Sequence, residues 1–416
     1  MIDDLFGLES EGKIIKSGVR DIFTPYTPVD EIHHLFGRES DVKRMVSLIR
    51  SRGQHILIYG DRGVGKTSLA KSTCSLILDQ ISQGSLLIKS CDSSDTFASL
   101  FIEPLANVGI DTSLEAQTKT HKQSGDAGIN IQIAKAGVNC EHQTQTIYKN
   151  TLNLNSPTWV AKQLENYDCI FLIDEVDTLT NEDDKHKLSQ LIKALSDSSS
   201  KFKIIMVGIA QTASELTAGH PSVQRCLKEI HLDRMSDEDI RKIILNGMNS
   251  IKPKRIPKEE VVDSIVDISS GFPHFTHLVC LRCAEIAISN NLNHIEFDIL
   301  DEALAEVSRD LEATFSHSLD NILRSSNAPE EYKLILLAAS YCRKRDFRSN
   351  ELADKINELY GITITPNILN SRLKKLSRTD DSLNILSKTA RACYSFKDPR
   401  MPSFLKIKLN HLLRTG

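Results

Sequence analysis

Residues 60–67 read GDRGVGKT and constrain this chain more than any other segment. They fit the phosphate-binding spacing G-x-x-x-x-G-K-[ST], and they lie between an apolar run at 55–59 and a helix-forming stretch that starts at Ser68. Glycines at these positions let backbone N–H groups surround phosphate oxygens, and the start of the following helix adds its positive dipole end. The segment therefore predicts a strand, a phosphate-binding loop and a helix that together bind a nucleoside triphosphate.

Individual side chains of this loop have predicted roles. Lys66 is predicted to reach the β- and γ-phosphates, and the Thr67 hydroxyl to ligate Mg²⁺. The residues predicted to bind the nucleotide here are Gly60, Asp61, Arg62, Gly63, Val64, Gly65, Lys66, Thr67 and Ser68. ATP and Mg²⁺ are the expected substrate and cofactor.

An apolar strand that ends in acid follows about a hundred residues later, where residues 169–175 read CIFLIDE. At the carboxyl end of a buried strand, Asp174 can hold Mg²⁺ through water, and Glu175 can polarise a water molecule for attack on the γ-phosphate. Alone, the acidic run at 174–177 would only start a solvated helix. Together with the phosphate loop it predicts ATP hydrolysis, with Glu175 and Lys66 as catalytic residues and with Thr67 and Asp174 on the metal.

Length and composition place the chain among ordinary soluble proteins. Its 416 residues suffice for two or three domains, and 40% are hydrophobic and 25% charged. No run approaches the ~18 apolar residues of a membrane span. Acidic residues lie near the start, where a secretory signal peptide has basic residues. Nine cysteines are scattered through apparent core segments, as reduced thiols are. These features predict a cytoplasmic protein without a membrane partner.

Strands alternate with helices in the first half of the chain. Apolar runs at 55–59, 86–88, 169–174 and 203–208 predict a parallel sheet covered by helices on both faces. A polar stretch at 111–156 interrupts this order, either as a β-hairpin insertion or as a surface loop. Residues 1–30 lack clear periodicity and include Pro25 and Pro28, so we predict an arm without a fold of its own.

A helical pattern begins at residue 235. Helices are predicted at 258–268, 273–289 and 296–315, and a polar spacer at 324–329 is the best linker. The predicted fold is thus α/β, a P-loop NTPase parallel sheet with a helical lid and a C-terminal winged helix. The predicted domains are an arm at 1–30, a nucleotide-binding domain at 31–234, a lid at 235–323 and a winged-helix domain at 324–416.

The last segment is basic, with 16 Lys/Arg against 7 Asp/Glu in residues 341–416 and 35 against 48 in residues 1–340. Its order of three helices and a hairpin is that of a winged helix. The third helix, at 366–376, carries the residues predicted to contact duplex DNA, together with one residue just beyond its end: Arg372, Lys374, Lys375 and Arg378. A winged helix that packs against a protein, or a solvated basic face, is the alternative.

These segments, in this order, resemble those of the origin-recognition-type AAA+ ATPases and their prokaryotic relatives, including the STAND-like branch. The resemblance covers residues ~31–416, and the segment 36–39 is the first that carries it. It implies that Gly37 and Arg38 lie near the adenine, and that Gln211 or Thr212 senses the γ-phosphate. It also implies that Arg225 completes the site of a neighbouring copy, although a surface or helix-capping arginine is an equal alternative.

The lid departs from the initiator pattern. Where initiators carry a sensor arginine, this chain has Gly271, Phe272 and Pro273. Such a Gly-x-Pro is similar to the nucleotide-sensing segment of STAND-like switches, and this similarity implies that Pro273 contacts the nucleotide. A Gly-x-Pro also simply starts a helix.

The leading hypothesis is an AAA+ ATPase switch, slow and dependent on assembly, that couples its ATP or ADP state to oligomer formation and to DNA binding by the winged helix. The alternative is a STAND-like signalling ATPase, of the kind that the resemblance implies in antiphage defence, which recruits a protein effector without binding DNA. A replication or transposition loader is a third hypothesis, which the Gly-x-Pro disfavours.

Overall fold

The computed structural model describes residues 8–29, 35–81, 84–110, 154–209, 221–324, 327–342, 346–377 and 385–409. Only the last three residues of the predicted insertion at 111–156 fall within these ranges, so the choice between a hairpin and a loop lies outside the described residues. Within the same ranges, no helix is both long and apolar enough to cross a membrane.

A five-stranded sheet forms the centre of the N-terminal half. Its strands are β1 (His55–Tyr59), β2 (Ser85–Ser90), β3 (Cys169–Asp174), β4 (Lys203–Gly208) and β5 (Leu227–His231). Their order is β2-β3-β4-β1-β5, and every neighbouring pair is parallel. The prediction of a parallel P-loop NTPase sheet is confirmed. Because the strands are parallel, their carboxyl ends share the edge at which the phosphate loop lies.

The edge strand β5 was not predicted from the sequence. Of its five residues only Leu227 and Ile230 are buried among the apolar side chains, and Lys228 and Glu229 are partly exposed. An edge strand needs no apolar run, because it pairs with one neighbour and leaves its other side to solvent. Its pattern therefore carries too little periodicity to be recognised.

The N-terminal segment forms two helices, α1 (Leu8–Ser17) and α2 (Val19–Ile22), where the sequence predicted an arm without a fold. Val19, Ile22 and Phe23 are buried in the main core. Arg20 Nε donates to the buried Glu285 at 2.8 Å. The helices are short and depend on a distant surface for their packing, which explains why their sequence pattern is weak.

Helices cover both faces of the sheet. They are α3 (Glu39–Arg50), α4 (Lys66–Ile81), α5 (Phe97–Leu100), α6 (Ile102–Asn107), α7 (Pro157–Leu164) and α8 (Glu182–Asp197). Alternate residues of β3 enter two separate cores: Ile170 and Leu172 join that of α3 and α4, whereas Phe171 and Ile173 join that of α5–α8. This burial on both faces explains the continuous apolar run of the strand.

The core on the α3–α4 face continues into a group of helices that we call the lid. The lid comprises α9 (Asp237–Ser250), α10 (Glu259–Ser269), α11 (Pro273–Ser289) and α12 (Phe297–Arg324), with two short paired strands, β6 (Ile256–Pro257) and β7 (His294–Ile295). Helix α11 begins with Pro at its first turn and is buried on nearly all sides. Such all-round burial is typical of a central helix.

The elements after residue 327 form what we call the C-terminal module. They are α13 (Pro329–Ser340), β8 (Asp346–Arg348), α14 (Ser349–Tyr360), α15 (Pro366–Leu376), β9 (Leu386–Ala390), β10 (Cys393–Phe396) and α16 (Met401–Leu409). The strands form an antiparallel sheet in the order β8-β10-β9. Helix α16, which the sequence did not indicate, packs its Phe404 ring on Phe315 of the lid, with ring centroids 5.1 Å apart.

Candidate nucleotide-binding site

A cavity of about 600 Å³ lies at the carboxyl edge of the sheet. Distant parts of the chain line it: residues 24–29, the segment 35–38, the phosphate loop, the ends of β3 and β4, Met235 and Ile243 at the start of the lid, the first turns of α11, and Arg400 of the C-terminal module. Such a volume is in the range of small-molecule and cofactor sites. The cavity therefore brings the sheet, the lid and both ends of the described chain to one place.

The phosphate loop runs from the end of β1 to the start of α4. Gly60 lies so close to the Leu232 carbonyl oxygen that a Cβ added at residue 60 would overlap it, which explains the glycine. Lys66 Nζ donates to the carbonyl oxygens of Gly60 at 3.1 Å and Asp61 at 2.9 Å. Burial lowers the pKa of Lys66, and Asp177 and Asp174 partly offset this effect. Residues 62–68 line the cavity, whereas Gly60 and Asp61 are not among its lining residues.

The predicted adenine-side residues differ in placement. Arg38 lines the cavity, and its Nη2 donates to Val64 O at 3.0 Å and Asp233 O at 2.8 Å. Burial lowers the pKa of Arg38. Gly37 lies against Asp239 of α9, and its N–H donates to Glu39 Oε1 of α3 at 3.2 Å. Arg38 thus braces the phosphate loop against the chain that leaves β5, a contact that the sequence did not reveal.

The predicted metal ligands meet at the end of β3. Thr67 Oγ1 donates to Asp174 Oδ2 at 2.9 Å, and the N–H of Glu175 donates to Asp174 Oδ1 at 2.9 Å. Asp174 is 6% exposed. A hydroxyl and a buried carboxylate beside a phosphate loop are the oxygen donors that suit Mg²⁺. The residues present therefore fit this ion.

Glu175 begins a tight turn at the rim of the cavity. Its backbone is in the left-handed region, with φ 55° and ψ 38°, a conformation that costs energy for a residue other than glycine. Both Thr178 N and Thr178 Oγ1 donate to Glu175 O, at 2.9 and 2.8 Å. The side chain of Glu175 is exposed and lines the cavity. The fixed turn thus presents this carboxylate to the phosphate site.

Asp177 belongs to the same turn and also lines the cavity, although the sequence did not mark it as a site residue. Its Oδ1 accepts the N–H of Ile209 at 3.2 Å, just after β4 ends. It also lines the cavity with Lys66 and Gly208. The acidic turn after β3 is therefore tied to the segment that leads from β4 toward the predicted γ-phosphate sensor.

Residues 24–29, which we call the N-terminal strap, close one side of the cavity. Val29 N donates to Ser68 Oγ at 3.1 Å, and Ser72 Oγ donates to Val29 O at 2.5 Å. At the other end, Thr24 N donates to His277 Nδ1 at 3.1 Å. The sequence showed only two prolines here, because the partners of the strap come from α4 and α11.

The Gly-x-Pro segment reaches the cavity through Pro273. A Cβ added at Gly65 would be 3.7 Å from Pro273 Cγ, so the first turn of α11 packs on the phosphate loop. The next residue, His274, holds its Nδ1 3.0 Å from Pro25 O, and burial lowers the pKa of His274. Pro273 is thus placed at the predicted nucleotide site, and it also starts a helix.

Arg400 brings the C-terminal module to the phosphate loop. A Cβ added at Gly63 would be 3.6 Å from Arg400 Cδ. The guanidinium is held by Asp398, with Nε to Oδ1 at 3.0 Å and Nη2 to Oδ2 at 2.7 Å. Burial alone would raise the pKa of Asp398, but the hydrogen bonds from Arg400 outweigh it and lower the pKa. No local pattern marks Arg400, because only tertiary packing brings it to the cavity.

Arg225 is not among the residues that line this cavity. Arg225 ends a short helical turn before β5, is mostly exposed, and pairs with Asp197. Gln211 and its alternative Thr212 lie outside the described residues.

The residues predicted to contact DNA differ in their exposure and in their partners within the protein. Arg372 Nη2 lies 2.8 Å from Glu331 Oε2, and its guanidinium lies 5.3 Å from the ring centroid of Tyr332. Lys375 Nζ lies 5.4 Å from the same centroid. Lys374 is exposed, and Arg378 lies outside the described residues. Helix α15 thus directs two of its basic side chains toward α13.

Comparison with known proteins gives a family match. The protein-family model described as Novel STAND NTPase 1 matches residues 24–270, which is more than half of the chain. That range begins at the strap and ends next to the Gly-x-Pro segment. No curated protein matches the chain.

Several solved structures are similar to the whole chain. The Orc1 protein of Aeropyrum pernix in complex with DNA is 15% identical in sequence. The match covers 96% of this chain and 98% of the Orc1 chain, with a TM-score of 0.48. A Walker-type ATPase of Pyrococcus abyssi is 15% identical, with 92% and 99% covered and a TM-score of 0.48. The RuvB Holliday junction branch migration motor of Thermotoga maritima is 14% identical, with 88% and 95% covered and a TM-score of 0.44.

Proposed function

The chain belongs to the novel STAND NTPase 1 family, and from this premise we propose that it is an ATP-binding and ATP-hydrolysing switch whose nucleotide controls the C-terminal module. The observation that carries the proposal is the position of Arg400 in the wall of the cavity, beside the phosphate loop. A ligand there contacts the sheet, the lid and the module at once. A ligand that interacts differently with two arrangements of these parts shifts the balance between them.

The nucleotide is held by groups that the cavity already presents. Backbone N–H groups of the phosphate loop and the start of α4 face the phosphates, and Lys66 exchanges its two carbonyl partners for phosphate oxygens. The strap and Arg38 flank the other end, where a base fits against residues such as Phe36 and Ile243. These features support a nucleoside triphosphate, and the adenine base is part of the proposal.

Hydrolysis is assigned to the carboxylates after β3. Thr67 and Asp174 would hold Mg²⁺, which when bound would neutralise charge on the phosphates. Glu175 orients a water molecule and takes its proton as the water attacks the γ-phosphorus, and the leaving group is ADP. Lys66 stabilises the developing negative charge. Turnover is expected to be slow, since the output of such a switch is a change of conformation.

Lys66→Ala tests the nucleotide site. We expect loss of measurable binding of both ATP and ADP by calorimetry, because the lysine is the cation placed to reach the phosphates and hydrogen bonds to charged groups contribute roughly 1.5–3 kcal/mol each. The matched control is Lys71→Ala, which removes the same charge further along α4. Wild-type affinity in Lys66→Ala would place the nucleotide elsewhere.

Asp177 supplies a second test of the acidic turn. Asp177→Ala should lower the turnover number by roughly fivefold to tenfold, since the hydrogen bond that ties the end of β4 is lost. Asp177→Asn keeps an oxygen acceptor at the same place and should retain most activity. Equal loss in both variants would show that the charge of Asp177, and not its hydrogen bond to Ile209, is what matters.

The output of the switch is proposed to be a protein effector that binds the C-terminal module, which we interpret as a winged helix. This output is supported by the pairing of Arg372 with Glu331 and by the approach of Lys375 to Tyr332. Charges already neutralised within the module contribute little to a phosphate backbone. Part of the basic excess of this segment is thus used in contacts within the protein, as it also is at Lys406, which pairs with Asp267 of the lid.

DNA binding is the second candidate, and the exposed cations of the module favour it. Lys374 on α15 and Lys388 and Arg391 on the β9–β10 hairpin are all exposed. A helix and a hairpin with such residues can contact adjacent phosphates of a duplex.

The two outputs are separated by duplex binding at several salt concentrations. If the module binds DNA, Lys374→Ala should weaken binding and reduce the salt slope by about one, as expected when one phosphate contact is removed. Arg372→Ala should change both less, because Glu331 already neutralises that guanidinium. No duplex binding by the wild type in either nucleotide state would leave the protein effector as the output.

A further inference from the structure

We infer that α16 positions the nucleotide-sensing turn at Pro273 by capping the end of α10 with two side chains, Ser403 and Lys406. The inference rests on the proposed function, since it concerns how the C-terminal module controls the same nucleotide site. Neither residue lines the nucleotide cavity. Both are therefore positioning residues, which act through the lid.

The contacts join the C-terminal module to the backbone of the lid. Lys406 Nζ donates to Asp267 O at 2.7 Å and to Asp267 Oδ1 at 3.1 Å. One turn earlier on α16, Ser403 Oγ donates to Ser269 O at 2.9 Å. An α-helix leaves its last four carbonyl groups without partners inside the helix. Two of those carbonyls in α10 thus receive donors from a different part of the chain.

The cap is buried. The side chain of Lys406 is 5% exposed, and its Nζ lies 4.3 Å from the ring centroid of Tyr341. Ser403 is fully buried. A lysine is rarely buried this deeply without a specific partner, and a cation at a helix C-terminus interacts favourably with the helix dipole. Without the module, Asp267 O and Ser269 O would keep only their hydrogen bonds from Ser270 N and Phe272 N within the lid, and the ammonium would return to water.

The capped end leads within three residues to the cavity. After α10, Ser270 and Gly271 both have left-handed backbones, with φ 51° and 79°. A Cβ at Gly271 would be 2.8 Å from Met235 O, so the chain passes close to the loop before α9. Phe272 follows, with Arg234 stacked 4.6 Å from its ring centroid, and then Pro273 beside the phosphate loop.

The same arginine ties this turn to both neighbours. Arg234 Nη2 lies 3.5 Å from Asp61 Oδ2 of the phosphate loop and 3.5 Å from Pro399 O of the C-terminal module. A cavity of about 860 Å³ separates the module from α9 and α10 around these contacts. The Arg234 contacts near the nucleotide site and the Lys406 contacts of the α16 cap both border this cavity. Loss of the cap would remove the contacts that fix the end of α10, and the turn at 270–273 would become more mobile.

The test is the dissociation rate of fluorescently labelled ADP from the full chain. Lys406→Met combined with Ser403→Ala should release labelled ADP roughly tenfold faster, from the loss of the two hydrogen bonds of Lys406 and the one of Ser403. Hydrogen exchange of the amides at 270–273 should also accelerate with ADP bound. Lys408→Met removes the same charge from the same helix and should leave both quantities unchanged.

A double-mutant cycle with Pro273→Ala shows whether the effect passes through the turn. If it does, Lys406→Met should change the ADP dissociation rate much less in the Pro273→Ala background, because coupled residues are not additive. Additive effects, or an unchanged rate in a folded double variant, would overturn the inference. Where Lys406→Met does not fold, Ser403→Ala alone is scored by the same two measurements. If wild-type protein binds no labelled ADP, the proposed function fails as well. Normal wild-type binding with unaffected variants removes the inference alone.

Discussion

Glu175→Gln should bind ATP within about threefold of the wild-type affinity and lose turnover by roughly 10²–10³-fold. The carboxylate lies on a fixed turn at the rim of the cavity, and general base catalysis contributes about 10²–10⁴-fold to rate. The glutamine has nearly the same shape but accepts no proton. ATP binding by calorimetry and phosphate release under saturating ATP measure the two quantities on one preparation.

The matched control for this change is Glu103→Gln, an exposed carboxylate on α6 that is not among the residues lining the cavity. Full turnover in Glu175→Gln would remove Glu175 from the mechanism. The same assay, run at increasing protein concentration, examines Arg225. A specific rate that rises with concentration in wild type but not in Arg225→Ala would support its proposed role in a neighbouring site, for which it must leave Asp197.

Arg400→Ala should weaken ADP binding by about tenfold while leaving the affinity for a non-hydrolysable ATP analogue within about threefold. The Arg400 side chain lines the cavity with its Cδ near Gly63 of the phosphate loop, and a hydrogen bond from its guanidinium to a phosphate would contribute roughly 1.5–3 kcal/mol. The ATP-bound form is proposed to release the module, so Arg400 contributes little to it. Titration calorimetry with each nucleotide measures the difference.

Arg391→Ala is the control, because it removes an exposed arginine from the hairpin of the same module. Asp398→Asn provides a second variant, since it weakens the carboxylate that holds the guanidinium without removing Arg400. Equal loss of ADP and ATP affinity in Arg400→Ala would make Arg400 an ordinary phosphate contact and would end its role in distinguishing the nucleotides.

The parts of the site that the sequence predicted are those in which function and local structure coincide. A phosphate loop needs its glycines, lysine and threonine in one short stretch, and β3 must be apolar up to Asp174 because both of its faces are buried. Lys66, Thr67, Asp174 and Glu175 therefore appear as patterns. Helix α11 was predicted with its observed bounds, since Pro273 starts it and nearly every residue along it is buried.

The parts that were missed are created by packing between distant segments. The strap is held by Ser68, Ser72 and His277, which lie between about 40 and 250 residues further along the chain. Arg400 reaches the cavity only because α16 joins the core of the lid. Neither produces a local periodicity that could be read from one sequence.

The basic residues of the third helix were predicted as one group, and the structure divides them between two environments. The sequence analysis grouped Arg372, Lys374 and Lys375 as equivalent DNA contacts. On a helix, however, residues three or four apart share a face, so Arg372 and Lys375 point in one direction and Lys374 in another. In the structure Arg372 and Lys375 turn toward Glu331 and Tyr332 of α13, and Lys374 is exposed. A count of charges therefore overstates the surface that a partner can meet.

The first measurement to make is small-angle X-ray scattering of Glu175→Gln behind a size-exclusion column, with Mg²⁺ and either ADP or ATP. The variant holds ATP without consuming it, and the column separates monomers from assemblies. A nucleotide switch predicts a compact monomer with ADP, in which Arg400 and α16 remain on the cavity and lid, and a larger radius of gyration with ATP. Superimposable scattering curves for the two nucleotides, with both bound, would contradict the proposed control of the C-terminal module.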